Sequence, residues 1–482
     1  MNKRVVFHLV SYMTFVIGIA IIGCAGVSYY YDEPLAVQMS LVYSGLIAIS
    51  CAGVAGILTR CDINLSRRDG FGIVTFGWIS ATIFGSLPYI LSGVIPHPVS
   101  AMFETMSGFT TTGASVLNDL ESIPRGIHFW RALTHWFGGM GVLVLCVAIL
   151  PFLGVGGMQI YRAEMPGPSK DRLTPRIATT AKLLWGVYAL LTMIEVLCLK
   201  FAGMGWFDSF CHAFGTMATG GFSTRSASVG AFDSAMIDTI LIVFMFLAGV
   251  NFSLHYYALT GKPGRYFRDP EFRFYFIFLV CATLFITFNV WLTDGGALSR
   301  CFRDSAFTAT SIMTTTGFCT ADFDQWPNAS RLLLVVMMFI GGCAGSTGGG
   351  MKVVRVFIMF KKMVREMKLF MRPSAVIQMK LGGKPVEQEV ISHIAAFFAI
   401  FILIFAIGSF IMTFFTPDLE TACSCVIATL GNIGPGLNAV GATQNYSCIS
   451  PSGQGILIVF MLLGRLELYT VLILFLPGFW KR

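Results

Sequence analysis

Charge is scarce in this sequence. Only 12% of its 482 residues are Asp, Glu, Lys or Arg, about half the roughly 25% of an ordinary soluble chain. A soluble domain of this size with so few charges could not cover its own apolar surface. Metal-ligand spacing is missing too. The 13 cysteines are scattered, Cys423 and Cys425 forming the one close pair, which reads as free thiols inside a core or facing lipid. His135, His212 and His255 show no paired metal spacing and read as structural. There is no H-E-x-x-H, no nucleophile–histidine pair and no paired intramembrane aspartate, so an intramembrane enzyme is excluded. Nor is there a cleavable leader: the first apolar run, residues 5–30, exceeds a signal core of roughly 7–15 residues and reads as a spanning helix.

What is present is apolar. Hydrophobic residues make up 55% of the chain, with 44 Phe. Apolar runs of helix-spanning length, without the alternation of barrel strands, fall at 5–30, 36–59, 71–95, 128–152, 180–203, 234–258, 272–293, 331–358, 390–415 and 454–478. They predict ten spanning segments of an all-α integral membrane protein. The formal net charge of +8 follows topology and does not point to nucleic acid. Arg125, Arg131, Lys200, Arg225, Arg300, Arg303 and Arg331 fall on or near one side, and nearly all other Lys and Arg on the side that holds the N-terminus. The positive-inside rule then places both termini in the cytoplasm. The opposite side carries more acidic than basic residues, a bias that concentrates cations and that ordinary solvated loops explain equally well.

On that outer side, four segments too short to span follow one plan. The first contains Phe103-Glu104-Thr105 and ends Thr110-Thr111-Thr112-Gly113. The second runs from Phe207-Asp208-Ser209 to Ala218-Thr219-Gly220-Gly221-Phe222. The third runs from Arg303-Asp304-Ser305 to Thr314-Thr315-Thr316-Gly317-Phe318. The fourth runs from Pro417-Asp418-Leu419-Glu420 to Gly431-Asn432-Ile433-Gly434-Pro435-Gly436. Aligned on Gly113, Gly220, Gly317 and Gly434, they are separated by 107, 97 and 117 residues. A period of about 100 residues recurring four times reports architecture. The segmentation is an N-terminal hairpin at 1–68 and four repeats at 69–160, 161–265, 266–385 and 386–482.

A dehydrated cation needs oxygen ligands. Backbone carbonyls supply them where the chain leaves helical geometry, and non-helical backbone at membrane depth survives only where it lines protein or water. Glycine permits such dihedrals. A short helix before each cluster would aim its negative dipole end at the ion, with Asp208, Asp304 and Asp418 near the helix starts. One such cluster reads equally as a polar surface turn; four in register do not. The candidate cation ligands are therefore Thr111, Thr112 and Gly113; Thr219, Gly220 and Gly221; Thr315, Thr316 and Gly317; and Asn432, Ile433 and Gly434.

On these loops, together with Glu164-Met165-Pro166-Gly167-Pro168, the run from Gly341 to Gly350 and the closing Leu463-Gly464-Arg465-Leu466-Glu467, the chain resembles the Trk/Ktr/HKT superfamily of K+ transporters, in its TrkH/TrkG branch, over essentially its full length. The resemblance implies a single-chain pseudo-tetramer like a K+ channel, K+ as the transported ion, a homodimer, and a cytosolic ring of TrkA-type nucleotide-binding regulatory subunits at a bacterial inner membrane. Glycine at all four filter positions resembles the K+-selective members, although the fourth loop lacks the threonine ladder. Passive flow and symport with H+ or Na+ are both compatible with these residues.

Two features suggest a gate. Six of the ten residues from Gly341 to Gly350 are glycine, each costing a helix up to about 1 kcal/mol relative to Ala. A break there, at Gly345, Ser346, Thr347, Gly348, Gly349 and Gly350, would lie across the pore, as the resemblance also implies; a static packing stretch is the alternative. It is no nucleotide loop, because Met351 follows Gly350 and Lys352 arrives one residue late. Arg465, near the middle of the last apolar run, would face the cavity as a barrier to cations, or pair with a carboxylate such as Glu195. The basic run from Lys361 to Lys384 suits anionic lipid, a regulatory partner or plain topology equally. A secondary transporter is the rival class, but its two paired breaks contrast with four re-entrant loops and one gate-like break.

Overall fold

The computed structural model describes residues 1–61, 66–141, 177–375 and 377–480. Long apolar helices form an outer layer, α1 (Lys3–Tyr30), α2 (Leu35–Leu58), α3 (Arg67–Gly85), α6 (Ile177–Phe201), α10 (Pro270–Asp294) and α14 (Gln388–Met412). Their outward faces carry bare Phe, Leu and Ile such as Phe15, Leu284 and Phe410, which is the dressing of a helix that meets lipid. The centre is polar instead. Thr110, Thr111, Thr112, Thr219, Thr314, Thr315, Thr316 and Asn432 are all fully buried.

From α3 onward one order repeats: a long helix, a short helix, a loop and a second helix. The short helices are α4 (Pro98–Phe109), α7 (Trp206–Met217), α11 (Leu298–Met313) and α15 (Leu419–Leu430). The helices after the loops are α5 (Arg125–Gly139), α8 (Ala235–Ala248), α12 (Asn328–Ile340) and α16 (Pro451–Arg465). Each of these packs on the next short helix, α5 on α7, α8 on α11, α12 on α15 and α16 back on α4, so the four units close on themselves. Local signals set the starts. Ser66 and Asp69 form a capping box on α3. Asp418 caps α15 by accepting from Thr421 N at 2.8 Å, and Ser450 with Pro451 opens α16.

The spans differ from expectation after the loops. Six described helices are long and apolar enough to cross a membrane, and eight spans result if each bent pair counts as one. The predicted runs 234–258 and 454–478 are those bent pairs: α8 turns by 102° into α9 (Phe252–Leu259), and α16 turns by 112° into 469–475. The predicted run 331–358 is the 13-residue α12, a glycine-rich segment, and α13 (Val353–Met371). Helix breaking is thus a property of at least three units, not of one. Run 128–152 is described only to Gly141. Residues 164–168, Arg172 and Arg482 lie outside the described residues. Within the basic run from Lys361 to Lys384, Lys380 and Leu381 pair with Pro385 and Lys384 in a minimal antiparallel ladder.

Candidate functional site

All four short helices end in the same way. The N–H groups of Thr112, Gly220, Thr316 and Ile433 donate to the carbonyls of Ser107, Gly215, Ser311 and Ala428 at 2.7–2.8 Å. One residue earlier, those of Thr111, Thr219, Thr315 and Asn432 donate to Gly108, Thr216, Ile312 and Thr429. This double bond pattern is a Schellman cap, and it needs a left-handed residue at its corner. Glycine usually takes that place. Here it is Thr111 at φ 53°, Thr219 at 53°, Thr315 at 60° and Asn432 at 54°. A β-branched residue in this region is strained, at a cost of order 1–3 kcal/mol. At the third corner the side chain is used in return, Thr315 Oγ1 accepting from the segment below the loops at Gly349 N. At the first, Thr111 Oγ1 accepts from Arg465, and at the fourth Asn432 Nδ2 donates to Thr112 Oγ1 and the Met461 carbonyl.

Two residues on, each chain passes through a left-handed glycine: Gly113, Gly221, Gly317 and Gly434. A Cβ on any of them would strike the next loop's backbone. The obstructing atoms are the Gly220 oxygen for Gly113, the Thr316 oxygen for Gly221, the Ile433 oxygen for Gly317 and the Thr112 oxygen for Gly434. Four glycine–carbonyl contacts therefore close a ring. The same four glycines line a recess of about 90 Å³.

The second loop's register is thereby corrected: Gly221, not Gly220, corresponds to Gly113, Gly317 and Gly434. Gly220 corresponds to Thr112, Thr316 and Ile433. A side chain there would run into the His135 ring, which stacks on Phe222 with centroids 3.9 Å apart. Glycine stands at 220 as well as at 221 because α5 places an imidazole behind the loop.

Below the ring lies the glycine-rich segment, which touches three of the four loop units directly. Thr347 Oγ1 donates to the Met217 carbonyl at 3.0 Å, Gly349 N to Thr315 Oγ1 at 2.7 Å, and Gly350 N to the Gly431 carbonyl at 3.0 Å. Glycine at 349 is required because a Cβ would overlap the Gly431 oxygen. Gly348 accepts from Lys352 Nζ, and Gly345 accepts from Phe252 N at 3.0 Å. Ser346 Oγ turns back to the Cys343 carbonyl.

Arg465 completes the circuit at the first loop. It donates to Thr111 Oγ1 at 3.1 Å, to the Thr347 carbonyl at 2.8 Å and to the Gly139 carbonyl at 2.9 Å, with a further bond to Gly138. It stands at the last turn of α16, just before the bend, and not in the middle of a continuous span. A cation there suits the helix dipole. Glu195, its suggested partner, lies instead beside Thr216 and takes no hydrogen bond of acceptable geometry among the described residues.

Several charged groups here were not singled out from sequence. Glu271, in the first turn of α10, accepts from Ala344 N at 2.7 Å and Val354 N at 3.1 Å, holding both ends of the glycine-rich segment. Arg355 pairs with Glu467 and lies 4.3 Å from the Phe397 ring. Glu104 and Arg131 form an ion pair almost without solvent exposure. A carboxylate in the first turn after Asp269-Pro270 was a readable signal for Glu271 only as a helix start. Of the three aspartates expected near helix starts, Asp418 is a cap, and Asp208 lies in the first turn of α7, where it bonds Thr224 Oγ1 at 2.6 Å. Asp304 sits beyond the first turn of α11, 3.8 Å from Arg300. On the outer surface, the side chain and then the backbone of Ser226 hydrogen-bond the Glu121 carboxylate and hold its pKa below the usual range. No metal-holding cluster of His, Cys, Asp or Glu occurs among the described residues, so any ion at the ring would meet backbone, hydroxyl and amide oxygens.

Comparisons with known proteins identify the family. A family model described as a cation transport protein, TrkH, matches residues 38–481. The Trk system potassium uptake protein TrkH of Escherichia coli K12 is 45% identical over 426 residues, 87% of each chain. That of Vibrio parahaemolyticus is 40% identical over the full length of both. The crystal structure of the potassium transporter TrkH from Vibrio parahaemolyticus superposes with a TM-score of 0.89 at 36% identity, covering both chains completely. These relatives are named as transporters, not enzymes, and the chain belongs to the TrkH family of cation transport proteins.

Proposed function

We propose that this chain carries K+ into a bacterial cell across the inner membrane, through the ring of four loops acting as a selectivity filter. The observation that carries the reading is the closed set of glycine–carbonyl contacts among Gly113, Gly221, Gly317 and Gly434. It makes one axis common to four loops that are far apart in sequence. K+ is the substrate. Its ligands are the oxygens of Thr111, Thr112 and Gly113, of Thr219, Gly220 and Gly221, of Thr315, Thr316 and Gly317, and of Asn432, Ile433 and Gly434. Backbone oxygens held at fixed spacing replace the hydration shell while leaving the ion bound weakly enough to move on. The helix C-termini of α4, α7, α11 and α15 add negative potential at the ring.

In this reading Gly345 to Gly350 and Arg465 are the gate, and the described conformation is closed. The segment and the guanidinium together touch all four loop units from below. The four repeats act as one pseudo-fourfold pore of ten spans. Both termini are cytoplasmic, two chains form a homodimer, and cytosolic TrkA-type nucleotide-binding subunits move the gate. K+ moves down the membrane potential or in symport with H+ or Na+.

Rubidium uptake into liposomes bearing the purified protein tests this, with K+ and Na+ as competitors and Gly113→Ser alongside. Uptake blocked far better by K+ than by Na+, with the preference loosened in Gly113→Ser, is the expected result. A pore opened by Arg465→Ala that does not distinguish the two ions would overturn it.

A further inference from the structure

Resting on the filter reading, we infer that Glu104 and Arg131 are positioning residues for ion selectivity: a buried ionic clamp behind the ring that fixes the outer strands of loops 1 and 2 against each other. Glu104 leaves α4 seven residues before the left-handed Thr111. One carboxylate takes three donors: Ser115 Oγ at 3.0 Å, Val116 N at 3.0 Å and Arg131 Nε at 2.7 Å. Ser115 and Val116 follow Gly113-Ala114 in the outer strand of loop 1. Arg131, from α5, carries the connection onward. Its Nη1 donates to the Ser223 carbonyl at 2.9 Å, and its guanidinium carbon lies 3.5 Å from the Phe222 ring centroid. Phe222 and Ser223 follow Gly221 in the outer strand of loop 2. The side chains are 0% and 3% exposed, so water neither screens the pair nor substitutes for it.

The same position in the other units shows how far the clamp extends. Seven residues before the left-handed corner stand His212, Thr308 and Cys425. His212 Nε2 meets Ser223 Oγ at 3.0 Å, Ser223 being the counterpart of Ser115. A network therefore runs from Ser115 through Glu104, Arg131 and Ser223 to His212. In the third unit the Thr308 hydroxyl has no hydrogen-bond partner among the described residues. In the fourth, the Cys425 thiol bonds, among the described residues, within its own helix to the Ala422 carbonyl. Two of four loops are braced by charge, and the ring contacts of Gly113 and Gly221 lie directly in front of the brace. The spacing of their oxygens, on which K+ over Na+ discrimination depends, is set there.

The test is thermal unfolding of the purified full-length protein while K+ or Na+ is titrated. An ion that binds the folded ring raises the melting temperature whether or not the gate is open. Wild type is expected to gain more from K+ than from Na+. Glu104→Gln strands the buried guanidinium and is apt to misfold. The decisive variant is Glu104→Gln/Arg131→Met, with neither charge left, and Arg131→Lys accompanies it. Both are expected to lose about tenfold in K+ over Na+ preference, the scale of one charged hydrogen bond. The peripheral double variant Asp238→Asn/Arg303→Met, which removes a pair at 3.5 Å on α8 and α11, is expected to lower stability without changing the preference. A clamp variant that remains folded and keeps the wild-type preference overturns the inference alone. A wild type that prefers neither ion overturns the filter reading beneath it.

Discussion

The backbone N–H of Gly349 donates to Thr315 Oγ1 at 2.7 Å, so the glycine-rich segment hangs directly from the left-handed corner of the third loop. That corner keeps a threonine despite the strain because its hydroxyl is the acceptor. The next N–H, of Gly350, bonds the Gly431 carbonyl at 3.0 Å, and a Cβ on Gly349 would overlap that same carbonyl. Gly349→Val should therefore unseat the segment. Losing one or two hydrogen bonds of about 1 kcal/mol each raises the open population about 5- to 30-fold. Rubidium leak from liposomes without partner subunits should rise by that order. A folded variant with unchanged leak would show that this seat does not seal the pore.

In the proposed closed state Arg465 holds the opposite side through Thr111 and Thr347. On that reading Arg465→Ala removes a positive charge from the path together with these bonds. Flux should rise by at least about tenfold, the scale of one charged hydrogen bond. Arg465→Lys should give an intermediate rise, because the charge remains while the forked donor geometry is lost. Equal flux in wild type and both variants, measured on monodisperse protein, would remove Arg465 from the gate.

The second loop offers a test of register. Gly220 is small because the His135 ring occupies the space of its side chain, whereas Gly221 faces backbone of the third loop. Gly220→Ala should therefore damage uptake and be substantially restored by His135→Ala. Gly221→Ala should not be restored by the same change, since neither its φ of 78° nor the Thr316 carbonyl is relieved. Growth at limiting K+ in cells lacking other uptake systems reads both pairs. Equal rescue of the two would return the register to Gly220.

Much of this was legible in the sequence because it was repeated. Thr-Thr-Gly at Thr111–Gly113 and again at Thr315–Gly317 placed two loops without ambiguity. The Asn432-Ile433-Gly434 loop followed from its position. The second loop was misread by one residue because two glycines stand together and the reason for the first, His135, is 85 residues earlier. Helix breaks at α8 and α16 were hidden because Ala248 to Asn251 and Leu466 to Leu468 carry little glycine; left-handed Glu467 and Leu468 have no sequence signature. The pair Glu104–Arg131 joins residues 27 positions apart on different helices, and Glu271 reaches 73 residues forward to Ala344. Such contacts depend on how the units close, which no local pattern reports.

The outer surface supplies a pH prediction. Glu121 accepts from Ser226 N at 2.9 Å and from its hydroxyl, tying the chain that follows Gly113 to the chain that follows Gly221. These bonds, the hydroxyl's first, place the folded pKa below its ordinary value. A carboxylate with a depressed folded pKa adds stability above its unfolded value of about 4.3, and that contribution disappears as pH falls through the lower folded value. Wild type should therefore melt above Glu121→Gln at neutral pH by a small margin, because the group is largely solvent-exposed and screened. The two melting temperatures should converge below about pH 4. A difference that grows on acidification would mean that Glu121 is stabilised as the protonated acid, and that the Ser226 hydroxyl accepts a hydrogen bond there instead of donating one.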